Sequence, residues 1–95
     1  MFFTKNKVKP HFFSLENEQE IEIQLEMDII RATIDARKTK NLSQRELSKK
    51  TGIKQPAIAR IESRARSPRV TTLLKLLYPM GYTLKVVPIK KEKKL

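Results

Sequence analysis

From Arg37 to Lys75 the chain carries twelve lysines and arginines against two glutamates, a local net charge of +10 in a protein whose total is +11. Ammonium and guanidinium groups at that density suit one kind of chemistry above others, the neutralisation of a polyanion. The flanks differ: residues 1–10 contribute +3, residues 11–36 contribute −6 and residues 76–95 contribute +4. Solvated surface lysines account for a mild excess, but ten net charges in one short block point to nucleic acid. RNA readers stack bases on exposed aromatics, and residues 37–75 contain none, so a duplex is favoured over RNA. Catalytic chemistry lacks its residues. There is no cysteine, and His11 is the single histidine, so neither a zinc cluster nor a Ser-His or Cys-His pair can be assembled. We expect a binding protein and not an enzyme, without metal or cofactor.

Ninety-five residues make one domain with a modest core. No apolar run approaches the roughly 18–20 residues of a membrane span. The Met-Phe-Phe start is followed by Lys5, Lys7 and Lys9, the wrong order for a secretory signal. The expectation is a soluble, cytoplasmic protein.

Two short helical patterns with a glycine between them position the basic block. Ser43 and Glu46 form a capping box, which puts Gln44 at the first helical position with its side chain turned outward. Leu47 points inward, Thr51-Gly52 closes the helix through a left-handed residue, and Ile53 packs back into the core. The next helix is expected over Gln55–Ser63, with Ile58 and Ile61 inward at i, i+3. Pro56 is tolerated because the first turn leaves its missing amide hydrogen without an intrahelical role. Helix, glycine turn and helix read as a helix-turn-helix. A basic loop over Ser63–Arg69 leads past Pro68 into a helix at Thr71–Tyr78, with Val70, Leu73, Leu74 and Leu77 as its buried stripe and Pro79 and Gly81 as its stop.

Upstream, Asn17 with Glu20 resembles a capping box, and acidic residues crowd the first turns of a helix expected to end at Asn41. Glu20–Ile29 alternates apolar and polar residues strictly, which is a strand period. Helix is favoured because no turn signal separates this run from Ile30–Lys40 and its residues are good helix formers. Ile29, Ile30, Thr33, Ile34 and Ala36 are its expected inner face. In the preceding arm Phe2, Phe3, Phe12 and Phe13 lie in two pairs around a Lys-rich linker with Pro10, and they must pack on the protein's own helices or on a partner chain.

Tyr82–Ile89 reads as one strand. A lone strand in a helical domain leaves its ladder groups unpaired, so antiparallel pairing of Thr83, Leu84, Lys85, Val86 and Val87 with a second copy across a two-fold axis is the economical solution. The alternative is that the strand pairs with the N-terminal arm or lies frayed. The expected organisation is an arm at 1–16, a helix-turn-helix domain at 17–81, a dimerisation strand at 82–89 and a basic tail at 90–95. The fold class is mainly α, a five-helix-like, lambda-repressor-like domain with a long N-terminal helix and a C-terminal β-strand pairing across a homodimer.

The run LSQRELSKKTGIKQPAIARIE…SPRVTTLLKLL resembles the Cro/C1-type helix-turn-helix family over about residues 29–78. More narrowly, IIRATIDARKTKNLSQREL…LLKLLYPMGYTLKVV is similar to HigA-type antitoxins of bacterial toxin–antitoxin pairs. The resemblance implies that the helix holding Gln55–Ser63 enters the major groove of operator DNA. It places Gln55, Pro56 and Arg60 on the bases, and Gln44, Lys54, Arg64 and Arg66 on phosphates, although a solvated loop also explains Arg64 and Arg66. Arg37 and Glu62 match a partly buried ion pair of the family, against the alternative of two surface charges. Two positions depart from the family: Lys54 stands where Ser or Thr caps the recognition helix, which leaves the helix start looser or capped otherwise, and Arg64 stands where glycine is usual, which leaves the loop geometry after Glu62 open.

The implied function is an antitoxin that neutralises a HigB-like, RelE-type mRNA endonuclease and represses their shared operon. A basic toxin suits the acidic segment and aromatic arm, with Phe12, Phe13, Glu18, Glu22 and Glu26 as the docking residues. An ordinary solvated face explains those carboxylates nearly as well. The alternative function is a phage- or plasmid-type repressor with no toxin partner.

Overall fold

The computed structural model describes residues 11–13 and 17–91; Phe2, Phe3, Pro10 and the end of the basic tail, for which expectations were stated above, lie outside them. Helix α1 spans Glu18–Thr39. Its N-cap Asn17 accepts a hydrogen bond from the Glu20 amide at 3.0 Å, and Glu18 and Glu20 stand in the first turn, where the helix dipole favours them. The alternating stretch is therefore helical. Its period of two does not match the turn, so Ile21 is buried while Ile23 is left 58% exposed. Further along, Ile30, Thr33 and Ala36 are buried and Ile29 and Ile34 half-buried. The Thr33 hydroxyl donates to the Ile29 carbonyl at 2.8 Å, which satisfies it inside the core.

Each helix of the motif stops where the chain turns left-handed. Asn41 takes φ +57° after α1, with the Leu42 amide donating to the Arg37 carbonyl at 3.1 Å. Helix α2, Gln44–Thr51, opens on the complete Ser43–Glu46 capping box and closes at Gly52, φ +80°. Ser43 donates its backbone amide to Glu46 and its hydroxyl accepts the Glu46 amide; the first contact above all holds the Glu46 carboxyl below its usual range. Helix α3 covers Gln55–Glu62, and helix α4 covers Val70–Leu77 before a single 3-10 turn at Tyr78–Met80 and Gly81, φ +87°. The described helices are thus four, with this 3-10 turn in place of a fifth.

The core gathers one face of each helix: Ala36 from α1, Leu47 from α2, Ile58 and Ile61 from α3, Leu76 and Leu77 from α4, and Met80 beyond it. Leu42, Ile53 and Leu84 pack against its edge. The stripe of α4 differs from the expected one. Leu73, Leu76 and Leu77 are buried, whereas Val70 is 63% and Leu74 39% exposed. The helix begins one residue early, and the set 73, 76, 77, 80 repeats at helical spacing as well as 70, 73, 74, 77 does. The first set prevails because the 3-10 turn carries Met80 into the core.

The C-terminal segment also differs. Residues 82–88 form no ladder, and the strand expected at Tyr82–Ile89 is displaced to β2, Ile89–Lys91, which pairs in parallel with β1, His11–Phe13. Among the described residues Thr83–Val87 join no ladder, because ladder bonds need a second edge and β1 supplies one only to Ile89–Lys91. Among the described residues no helix is long and apolar enough to cross a membrane.

Candidate nucleic-acid interface

Helix α3 is held from below and bare above. Ile58 and Ile61 seat it in the core, while Gln55, Pro56 and Arg60 are exposed on its other side. Pro56 and Arg60 are one helical turn apart on the same side, in the first and last turns of α3, and exposed Gln55 stands at the first helical position. Lys54 occupies the N-cap and makes no side-chain capping bond, as a group with donors only must. Exposed Arg64 and Arg66 follow in the loop after α3.

After α3 the chain turns left-handed at Arg64. Arg64 adopts φ +63°, its amide donates to the Ile61 carbonyl at 3.0 Å, and the Ala65 amide donates to the Arg60 carbonyl at 2.9 Å. An arginine thus stands in the conformation that glycine takes without strain. Arg64→Gly should raise stability by roughly 0.5–1 kcal/mol after allowing for glycine's greater chain entropy, measured by urea denaturation. A loss of stability would show that the Arg64 side chain contributes more to the fold than its backbone strain costs.

Beneath α3 the Arg37–Glu62 pair is bidentate. Arg37 Nε donates to Glu62 Oε2 at 2.7 Å and Nη2 to Oε1 at 2.8 Å, while Nη1 donates to the Leu42 carbonyl at 2.8 Å. The two side chains are 12% and 9% exposed, so they are not two solvated surface charges. Hydrogen bonding to Glu62 raises Arg37 above its ordinary value. At Glu62 burial pushes the carboxyl up, but hydrogen bonds from Arg37 and Gln44 and the charges of Arg37 and Lys38 together outweigh it and hold the group below the usual range.

Gln44 has a role that residue type and spacing do not display. It is half-buried, its Nε2 donates to Glu62 Oε1 at 2.9 Å, and its Oε1 accepts from Gln55 Nε2 at 3.2 Å. A continuous hydrogen-bonded chain therefore runs from Leu42 through Arg37, Glu62 and Gln44 to Gln55. Apart from the Arg37–Leu42 link, the partners are 11 to 25 residues apart in sequence, and only the docking of α1, α2 and α3 brings them together.

The acidic face lies on α1. Glu18, Glu22 and Glu26 are exposed at a spacing of four residues, one side of the helix. Glu26 also accepts a hydrogen bond from the Ser67 hydroxyl, tying α1 to the basic loop, a contact the sequence gives no sign of. Phe12 and Phe13 belong to β1. Among the described residues no group of three or more His, Cys, Asp or Glu side chains could hold a metal ion.

Comparison with known proteins agrees with this architecture. The helix-turn-helix family matches residues 34–86. An uncharacterized HTH-type transcriptional regulator of Haemophilus influenzae is 45% identical over 75 residues, covering 78% of this chain and 76% of that protein. Among solved structures, a toxin–antitoxin module from Streptococcus pneumoniae superimposes with a TM-score of 0.63 at 39% identity, covering 78% of this chain and 82% of the matched one.

Proposed function

The chain belongs to the Cro/C1-type helix-turn-helix family, and on that premise we propose that it is an antitoxin that binds operator DNA as a dimer and represses its own operon. The observation that carries the DNA part is the open outer side of α3, with basic Lys54 before it and Arg64 and Arg66 after it, anchored beneath by a bidentate ion pair. Laid in a major groove, Gln55 and Arg60 meet base edges and Pro56 makes apolar contact, for instance with a thymine methyl. Gln44, Lys54, Arg64 and Arg66 meet phosphates, and the helix N-terminus adds its own attraction for an anion.

Two copies suit the surfaces left uncovered. Val70 and Leu74 are exposed one turn apart on the outer face of α4, Tyr78 and Tyr82 are exposed beyond its end, and Val86 is 99% exposed. A second copy would cover them and give Thr83–Val87 a ladder partner.

The DNA assignment is tested by two substitutions read against specific and random duplexes. Arg60→Ala should cost about 1–3 kcal/mol on the specific site and relax preference at one position. Lys54→Ala should weaken both duplexes alike. If each variant affects the two duplexes equally, the division between base and phosphate contacts fails.

The antitoxin part is supported by the toxin–antitoxin module this chain resembles and by the acidic face of α1. We propose that Glu18, Glu22 and Glu26, with Phe12 and Phe13, dock a basic HigB-like endonuclease. Replacing the three glutamates with lysine should abolish co-purification with the basic product of a neighbouring gene while DNA binding persists. Undiminished co-purification would remove the docking role. The regulator relative supports a second possibility, a repressor without a toxin, which is the answer if no small basic nuclease is encoded beside this gene.

A further inference from the structure

We propose that Glu62 is a specificity-determining positioning residue: acting through Gln44, it fixes which atoms Gln55 turns outward, and so selects adenine over guanine. The inference rests on the proposed meeting of Gln55 with a base edge, and it concerns which base.

The chemistry is a count of hydrogens. A carboxylate only accepts hydrogen bonds, so the end of the Gln44 amide that faces Glu62 must be its NH2 group. The Gln44 carbonyl oxygen then faces Gln55 and can only accept. Gln55 must therefore turn its own NH2 toward Gln44, as the 3.2 Å contact shows. One of its two amide hydrogens is committed there, leaving one N–H and the carbonyl oxygen to face a base.

That remaining pair matches adenine, whose major-groove edge offers an acceptor at N7 and a donor at N6. Guanine offers two acceptors, N7 and O6. An unrestrained glutamine could meet guanine by donating both amide hydrogens. With one of them held by Gln44 it cannot, and its carbonyl oxygen would be left against O6. If Gln44 were reversed, its NH2 would face Gln55, Gln55 would accept through its oxygen, and both of its hydrogens would be available to guanine. The choice between the two arrangements is set at Glu62. Arg37 holds that carboxylate in place by its bidentate contact, so the ion pair beneath the helix also fixes the polarity of the amides above it.

The test is selection of binding sites from a randomised duplex pool at one salt concentration, using the full chain. Gln55→Ala identifies the operator position that Gln55 reads by relaxing it. Gln44→Met keeps a side chain of similar length with no amide, and Glu62→Gln permits either amide polarity. At the position that Gln55→Ala relaxes, both variants should admit guanine, the adenine-to-guanine ratio falling by about tenfold, with preferences elsewhere kept. A loss of overall affinity with that ratio unchanged in Gln44→Met overturns the proposal. Gln44 lies outside the ion pair, so this arm overturns the relay even if Glu62→Gln fails to fold, and an unchanged ratio in folded Glu62→Gln overturns the role of Glu62. If Gln55→Ala relaxes no position, base reading by Gln55 is what fails, and the relay falls with it.

Discussion

Replacing Glu62 by alanine lowers the unfolding free energy by about 3 kcal/mol, toward the low end of the cost of breaking a buried ion pair because one edge of the pair meets solvent. The variant leaves the Arg37 guanidinium facing a cavity, with only the Leu42 carbonyl kept from its three bonded partners' atoms, and frees the Gln44 amide on its inner side. Urea denaturation at neutral pH measures the effect, and a loss below about 1 kcal/mol would place the pair with ordinary surface ion pairs. The double variant Arg37→Met/Glu62→Leu should recover much of the stability, since a whole pair exchanged for apolar groups leaves no buried charge. The same pair predicts an acid limb. The folded-state pKa of Glu62 is depressed, so its contribution is fully present above the unfolded value of about 4.3 and is lost as pH falls through the folded value. Wild type should therefore lose stability at acid pH more steeply than Glu62→Gln, with the two curves converging as the carboxyl is protonated.

The parts of this molecule that were legible in its sequence are those decided within a few residues. Asn17, the Ser43–Glu46 box and Gly52 act on amides and carbonyls no more than four positions away, and they mark where α1 begins and where α2 begins and ends. The Arg37–Glu62 pair spans 25 residues, and the residues alone left it open to a surface alternative; family resemblance pointed to it. Where a choice depended on tertiary context, local pattern misdirected. Two overlapping leucine stripes in α4 are equally good by period, and the burial of Met80 selects between them. The alternation at Glu20–Ile29 carries no information about its partner, and a helix that buries Ile21 accepts an exposed Ile23. At Arg64 the residue type left the loop geometry open, and the left-handed turn there is closed by two hydrogen bonds to the end of α3. Gln44 was expected on a phosphate, and its amide bonds to Glu62 and Gln55 could not be foreseen without the docking of three helices. Strand pairing at 82–91 was the least legible, since a ladder is a property of two edges and one edge was all the segment itself supplied.

Raising salt from 50 to 200 mM weakens operator binding by about 2,000-fold if two copies bind and by about 40-fold if one does, because each neutralised phosphate contributes about −0.9 to the slope of log K against log salt. The arithmetic starts from the cationic side chains assigned to phosphates. Lys54, Arg64 and Arg66 are three per copy, while Gln44 is neutral and displaces no counterion. Six contacts in a dimer give a slope of about −5.4 and three in a monomer about −2.7. Fluorescence anisotropy with a labelled operator across that range distinguishes the two, and Lys54→Ala should make the dimer's slope shallower by about 1.8. The slope also bears on a surface far from the DNA. A steep value requires two copies held together, and the exposed apolar row Val70, Leu74 and Tyr78 then has a second copy to lie against. A shallow value with sequence preference intact would mean that a single reading helix suffices. The exposed apolar side chains of that row would then face a partner other than this chain.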